Sequence, residues 1–218
     1  MAVAIAAHLA RRYSAGSLVR LDVADDVVVV DLLGDGPAVL GLPEPTDPGV
    51  VDWLAAVDAV PVEALARLIR PAAAGLPLMA RGRSETPRLE RVSVLVDGLR
   101  AMDRPIVIDA GVVGASPGGQ PTDAVRRSIV EQCDRSLLVT RPCFLSLRRA
   151  IAAGIRPDGV VLLDEPGRAL GRTDVADVIG APIVAVVPVE PSTARAVDAG
   201  LLAARPPADL LRALADVA

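Results

Sequence analysis

Two short runs of β-branched residues, each closed by an aspartate, constrain this chain more than any other feature: Val27 to Val30 before Asp31, and Ile106 to Ile108 before Asp109. An apolar run without polar alternation has no face to give to solvent, so each predicts a strand covered on both sides, as in a parallel sheet between helices. Composition points the same way. Hydrophobic residues are 52% of the 218 residues and aromatic ones 1%, namely Tyr13, Trp53 and Phe144. The core therefore has to be built from Val, Leu, Ile and Ala, and the length suits one domain spanning 1–218.

Along the chain, apolar and polar residues alternate between helical and extended patterns. Residues 2–13 (AVAIAAHLARRY) carry apolar side chains at helical spacing with arginines at the end, predicting an opening helix. After Val27–Asp31, Gly34, Gly36 and Pro37 break the strand; helices follow over Val50–Ala56 and Val62–Ile69, then a strand over Leu76–Ala80 and a helix near Arg91–Ala101. The second half repeats strand and helix more regularly. Strands are expected at Ile106–Asp109, Ser136–Thr140, Gly159–Leu163 and Ile183–Val187. Helices are expected at Asp123–Gln132, Ser146–Ala153, Thr173–Ile179, Ser192–Ala199 and Ala208–Val217. Residues 111–122 (GVVGASPGGQPT) read as an irregular loop. Such alternation predicts an open, mostly parallel sheet with right-handed crossovers, whose ligands bind at the carboxyl ends of the strands. Asp31 and Asp109 both fall there.

Several function classes are set aside by composition. All 23 basic residues are arginine and the net charge is −4, so no global field draws the chain to nucleic-acid backbones or anionic lipid. The three rings offer no stacking platform for single-stranded nucleic acid. The pairs Arg11-Arg12, Arg126-Arg127 and Arg148-Arg149 read as solvated helix faces. Cys133, Cys143 and the lone His8 make no zinc or disulfide framework and predict reduced, buried thiols, hence a cytoplasmic chain. The run Ala2 to Ala7 is too short for a signal-peptide core, and no stretch is long enough to span a membrane. In the last helix Leu210, Leu211, Leu214 and Val217 form one stripe, opposite Asp209, Arg212 and Asp216; this predicts docking on the chain's own core rather than on a membrane.

The segments PIVID (105–109), CDRSLLVTRPCFLSLRRA (133–150), GVVLLDEP (159–166) and DVADVIGAPIVAVVPVEPSTARAVDAG (174–200) resemble the MinD/ParA family of deviant Walker ATPases, including its CpaE-type members. VVVVDLLGDGPAVLGL (27–42) and GVVDWLAA (49–56) match more loosely the region after the family's second strand. The resemblance implies a P-loop NTPase-like α/β fold. It also places Met1 where the helix after the phosphate loop begins, so this chain lacks the family's first strand and its lysine-bearing loop. Either that segment lies upstream of a misassigned start, or the natural chain starts at Met1 and Leu18–Val23 or a partner fills the gap. Without that segment two buried strands lack a ladder partner.

By the same resemblance, a nucleotide site would draw on Asp31, Asp109, Asp164, Pro188 and Glu190, with ATP or ADP as cofactor and Asp109 holding the magnesium shell. The family's second aspartate, which positions the attacking water, is replaced by Leu33; Asp35 stands in only if the loop is reshaped. Asp164 stands where an asparagine reads the purine, while Pro188 and Glu190 fit the Pro-x-acid turn. No catalytic residue is assigned. Each residue also has a structural role open to it: Asp31 and Asp109 as turn caps, Asp164 as a loop start, Pro188 as a turn former, His8 in a core or interface, Ser146 as a helix N-cap. The reading that follows is a degenerate spatial-organisation or partner-binding protein, acting with a protein partner or as a homodimer. The alternatives are an active ATPase of partition, septum placement or pilus localisation, or a synthase of the dethiobiotin or cobyrinate type on the same fold.

Overall fold

The computed structural model describes residues 1, 4–7, 27–45, 47–57, 60–72, 76–112 and 121–217. The four-residue strand β1 (Val28–Asp31) is buried along its length and lies between two parallel neighbours, β3 (Leu78–Met79) and β4 (Ile106–Asp109). Both faces of β1 are covered, as its valine run requires. Val29 packs into one cluster with Leu78, Val161, Ala185 and Leu214, whereas Val28 and Val30 face a second with Trp53, Leu95, Leu99 and Ile129.

A second sheet holds β5 (Leu137–Thr140), β6 (Gly159–Asp164) and β7 (Ile183–Pro188), all parallel, with β6 in the middle. The expected single open sheet is therefore divided. Among the described residues no ladder joins β4 to β5, the two strands left with a free edge facing a common slot. Side chains pack the two sheets together: Val29 and Leu78 of the first share their cluster with Val161, Ala185 and Val187 of the second. The buried residues 4–7, which are helical, and Leu210, Leu214 and Val217 belong to the same cluster.

Helix boundaries follow their sequence signals closely. Label α1 to α8, in order, Gly36–Val39, Val50–Ala55, Val92–Arg100, Pro121–Gln132, Phe144–Ala153, Arg172–Ile179, Pro191–Asp198 and Ala208–Ala213. Helix α3 buries Val92, Leu95, Val96 and Leu99, the i, i+3, i+4, i+7 stripe of an amphipathic helix. The closing helix α8 is shorter than its pattern suggested; of the predicted stripe Leu210, Leu214 and Val217 are buried, whereas Leu211 is half-buried. One element differs in kind. The helix expected over Val62–Ile69 is a 3₁₀ helix, Val62–Leu68, and Ile69–Arg70 leaves it as β2, antiparallel to β3 on the sheet edge. Pro71 accounts for the extended exit, because Arg70, the residue preceding proline, is pushed out of the helical region and into extended backbone.

The start of α2 is fastened to the end of β3. Val50 and Val51 N–H groups donate to the carbonyls of Ala80 and Arg81 (2.9 and 2.8 Å), and the Asp52 carboxylate accepts from the N–H groups of Gly49, Arg83 and Ser84. Burial opposes the Asp52 charge, but these amide donors outweigh it and hold the carboxyl below its usual range. Trp53 is fixed from both sides: Nε1 donates to the Pro61 carbonyl at 3.3 Å, and the Arg91 guanidinium lies 4.0 Å from the ring centroid. The expected opening helix beyond residue 7, with His8, Arg11, Arg12 and Tyr13, lies outside the described residues, as do Leu18–Val23 and residues 113–120. No helix among the described residues is long and apolar enough to cross a membrane.

Candidate functional site

Asp31 and Asp109 are direct register partners at the carboxyl ends of β1 and β4. The parallel ladder therefore brings together the two aspartates that the sequence marked. Asp31 is 1% exposed, and its charge is met entirely by backbone: Oδ1 accepts the N–H groups of Leu33 (2.9 Å) and Gly34 (2.8 Å), Oδ2 that of Gly36 (2.8 Å). The turn 31–36 thus wraps its own carboxylate. A Cβ on Gly36 would lie 2.7 Å from Oδ2, so only glycine lets the chain pass this close. Asp35 is exposed at the N-cap position of α1 and makes no side-chain capping bond.

Asp109 is half-buried, and its Oδ1 accepts the Gly111 N–H at 2.9 Å. Gly111 has φ +67°, and a Cβ there would meet the Leu33 side chain at 3.1 Å. Leu33, where the resemblance places the second aspartate, therefore lays an apolar side chain over the Asp109 turn. From α4, Arg126 Nη2 donates to the Leu32 carbonyl at 3.0 Å, while Arg127 reaches the Ala153 carbonyl. The sequence suggested a solvated face for this pair; instead both guanidiniums satisfy backbone carbonyls at element ends.

Asp164 and Pro188 are likewise register partners, at the ends of β6 and β7, and the Val189 N–H donates to the Asp164 carbonyl at 3.0 Å. Glu190 occupies the N-cap position of α7 without a side-chain bond to it. The five candidate residues thus share the carboxyl edge but form two groups, Asp31 with Asp109 on one sheet and Asp164, Pro188 and Glu190 on the other. An acidic group that sequence reading passed over sits beside the second. Glu165 pairs with Arg168 of its own loop and with Arg141 at the end of β5 (3.0 Å), and these two donors hold its carboxyl low.

Magnesium at nucleotide sites takes one or two carboxylates together with phosphate oxygens and water. Asp31 does not fit that task, because three amide donors already occupy its two oxygens. Asp109 retains one oxygen outside its turn bond, and among the described residues no group of three or more His, Cys, Asp or Glu side chains is placed to hold a metal. The 218 residues include no lysine to reach a phosphate.

Ser146, expected to cap α5, is one turn inside it. Cys143 is the N-cap: its Sγ accepts the Ser146 N–H at 3.5 Å and lies 3.2 Å from Ser146 Oγ. These contacts lower the Cys143 thiol pKa, with the Ser146 hydroxyl the largest cause, whereas burial raises that of Cys133. Both cysteines are free and half-buried, less covered than expected. Alkylation with iodoacetamide at pH 8, followed by peptide mass spectrometry, is expected to modify Cys143 well before Cys133, since the thiolate is the reacting form. Equal rates at the two sites would contradict these shifts.

No protein-family model matches the chain, and no curated protein matches it. Solved structures do. A ParA family ATPase from Chlorobium tepidum superposes with a TM-score of 0.69 at 22% identity, over 98% of this chain and 90% of that one. The MinD cell division protein of Aquifex aeolicus gives 0.67 at 19%, covering 98% and 91%. The septum site-determining protein MinD of Pyrococcus horikoshii, solved with Mg-ADP, gives 0.67 at 18%, covering 99% and 88%. This is the ParA/MinD fold. The mostly parallel sheets flanked by helices are thus those of a ParA/MinD-like α/β fold.

Proposed function

We propose that this chain is a ParA/MinD-like spatial-organisation or partner-binding protein, CpaE-like in type, with a degenerate nucleotide site and little or no ATP hydrolysis. On this reading it is one cytoplasmic domain that acts with a protein partner or as a homodimer. The observation that carries the proposal is the saturation of Asp31 by its own turn, with Leu33 laid over the turn of Asp109. A buried carboxylate whose two oxygens already hold three amides is poorly placed to orient water, and the leucine adds no acceptor. The 218 residues also supply no lysine to meet transition-state charge on a phosphate.

The test is a pair of measurements on the 218-residue chain. Incubated with Mg-ATP, it is expected to release no phosphate above a no-protein control. In a thermal-shift series with ATP, ADP and magnesium, the midpoint is expected to move by less than about 1 °C; occupancy at about 100 times Kd adds roughly 2.7 kcal/mol and would raise it by about 5–10 °C. Magnesium-dependent turnover that disappears in Asp109→Ala would sink the proposal. A second reading is favoured by the register pairing of Asp31 with Asp109: an active ATPase whose phosphate loop lies upstream of Met1. A chain extended upstream that hydrolyses ATP, while the 218-residue chain does not, would support it.

A further inference from the structure

Helix α5 turns more of its apolar bulk away from the sheet than toward it. Of its large apolar side chains only Leu147 is buried, at 4% exposure, whereas Phe144, Leu145 and Ile151 are 74%, 53% and 58% exposed. Their spacing makes one outer surface: Phe144, Arg148 and Ile151 follow i, i+4, i+7, and Leu145, Arg148, Arg149 and Ala152 follow i, i+3, i+4, i+7 beside them. A single exposed apolar side chain needs no explanation, but several together on one helix, set among charges, mark a contact surface. That charge has one sign. Arg148 and Arg149 are exposed, α5 carries no carboxylate, and among the described residues neither guanidinium has an ion pair. Glu165, in the loop after β6, is already held by Arg141 and Arg168.

We propose that the outer face of α5 binds an acidic amphipathic helix of a partner protein, whose apolar stripe covers Phe144, Leu145 and Ile151 while carboxylates beside the stripe pair with Arg148 and Arg149. The occupant is a helix because α5 uses its own backbone groups internally and offers a strand no edge to extend. A second copy does not fit, since two-fold pairing on this face brings Arg148 and Arg149 against their own equivalents. The next helix argues against a lipid surface. Helices α5 and α6 join β5 to β6 and β6 to β7, so right-handed crossovers set both on one side of the sheet, and Leu147 and Val175 share the cluster beneath them. A flat anionic layer on α5 would therefore also meet Asp174 and Asp177, which α6 exposes and which outnumber its Arg172. A single helix lying along α5 avoids them.

This inference rests on the partner-binding part of the functional proposal and asks nothing of ATP, so peptide binding and nucleotide turnover succeed or fail separately. The probe is a fluorescein-labelled peptide, Ala-Glu-Leu-Leu-Glu-Glu-Leu-Leu-Ala-Glu-Leu-Glu, held helical by a hydrocarbon staple because so short a helix is marginal alone. Titrated with the 218-residue chain and followed by fluorescence anisotropy, it is expected to bind saturably. Phe144→Ser, and the double change Arg148→Glu with Arg149→Glu, should each weaken binding at least about tenfold. All three positions are exposed, so the urea midpoints of these variants are expected to match that of the parent. A peptide with lysine at every glutamate should bind the doubly changed chain and not the parent, a reversal that loss of structure would not produce. Absence of saturable binding, unchanged affinity in either variant, sedimentation with phosphatidylserine vesicles that Phe144→Ser abolishes, or a dimer in sedimentation equilibrium that Phe144→Ser dissociates would each overturn the proposal.

Discussion

Gly49→Ala is expected to destabilise the protein by about 3 kcal/mol or more, the upper end of what overpacking costs. A methyl group there would sit 2.2 Å from the Ala80 carbonyl oxygen and 2.3 Å from the Gly82 nitrogen. Both are backbone atoms, so no rotamer change relieves the clash. Relief requires parting α2 from the end of β3, which breaks the Val50 and Val51 hydrogen bonds and exposes the amides held by Asp52. Gly180→Ala makes the comparison sharp. Gly180 ends α6 at φ +73° with nothing within 4 Å of an added Cβ, so alanine there meets only the left-handed backbone penalty, about 1 kcal/mol. Urea denaturation of the two variants beside the parent measures the gap; a Gly49→Ala midpoint no lower than that of Gly180→Ala would show that the loops yield.

The second large effect is expected at Asp31. Asp31→Ala removes one acceptor group that satisfies three N–H donors and should cost about 3–4 kcal/mol, since buried donors left unmatched cost about 1–3 kcal/mol each and water recovers part of that. Asp31→Asn is expected to fall between parent and alanine. Its amide oxygen still serves Leu33 and Gly34, but the NH₂ then faces the Gly36 N–H, donor against donor. The same denaturation series reads both. Were Asp31 a ligand group held in readiness, removing its charge would relieve repulsion and leave stability unchanged or raised, so the sign of the change separates a structural carboxylate from a poised one.

The architecture was largely legible because its signals are local. Val27–Val30 and Ile106–Ile108 announce strands buried on both faces, and Gly154 and Gly180, both left-handed, close α5 and α6 where the helical patterns stop. The register of Asp31 against Asp109 needed only that both strands end in the same way. What stayed hidden depends on contacts between segments. Leu33 reads as an apolar replacement in sequence, but its position over Gly111 comes from the β1–β4 register. The Asp31 cradle depends on a glycine five residues on, Glu165 on arginines in two other segments, and Arg126 on a carbonyl 94 positions away. The 3₁₀ helix is hidden for a different reason: apolar spacing does not separate it from an α-helix over two turns, and Pro71 signals only the extended exit at Arg70.

The division of the sheet also bears on how the chain reaches this structure. Among the described residues every strand of the first sheet comes from residues 28–109 and every strand of the second from residues 137–188, so neither sheet takes a strand from the other half. The ladders of each half form within its own stretch, which keeps loop-closure entropy small and lets the first sheet pair while the second is still being synthesised. The segments that bridge the halves, residues 4–7 and the Leu210, Leu214 and Val217 stripe, come from opposite ends of the chain and meet in one cluster. The topology therefore lets the sheets form in the order of synthesis, whereas their union through this cluster needs the C-terminal helix.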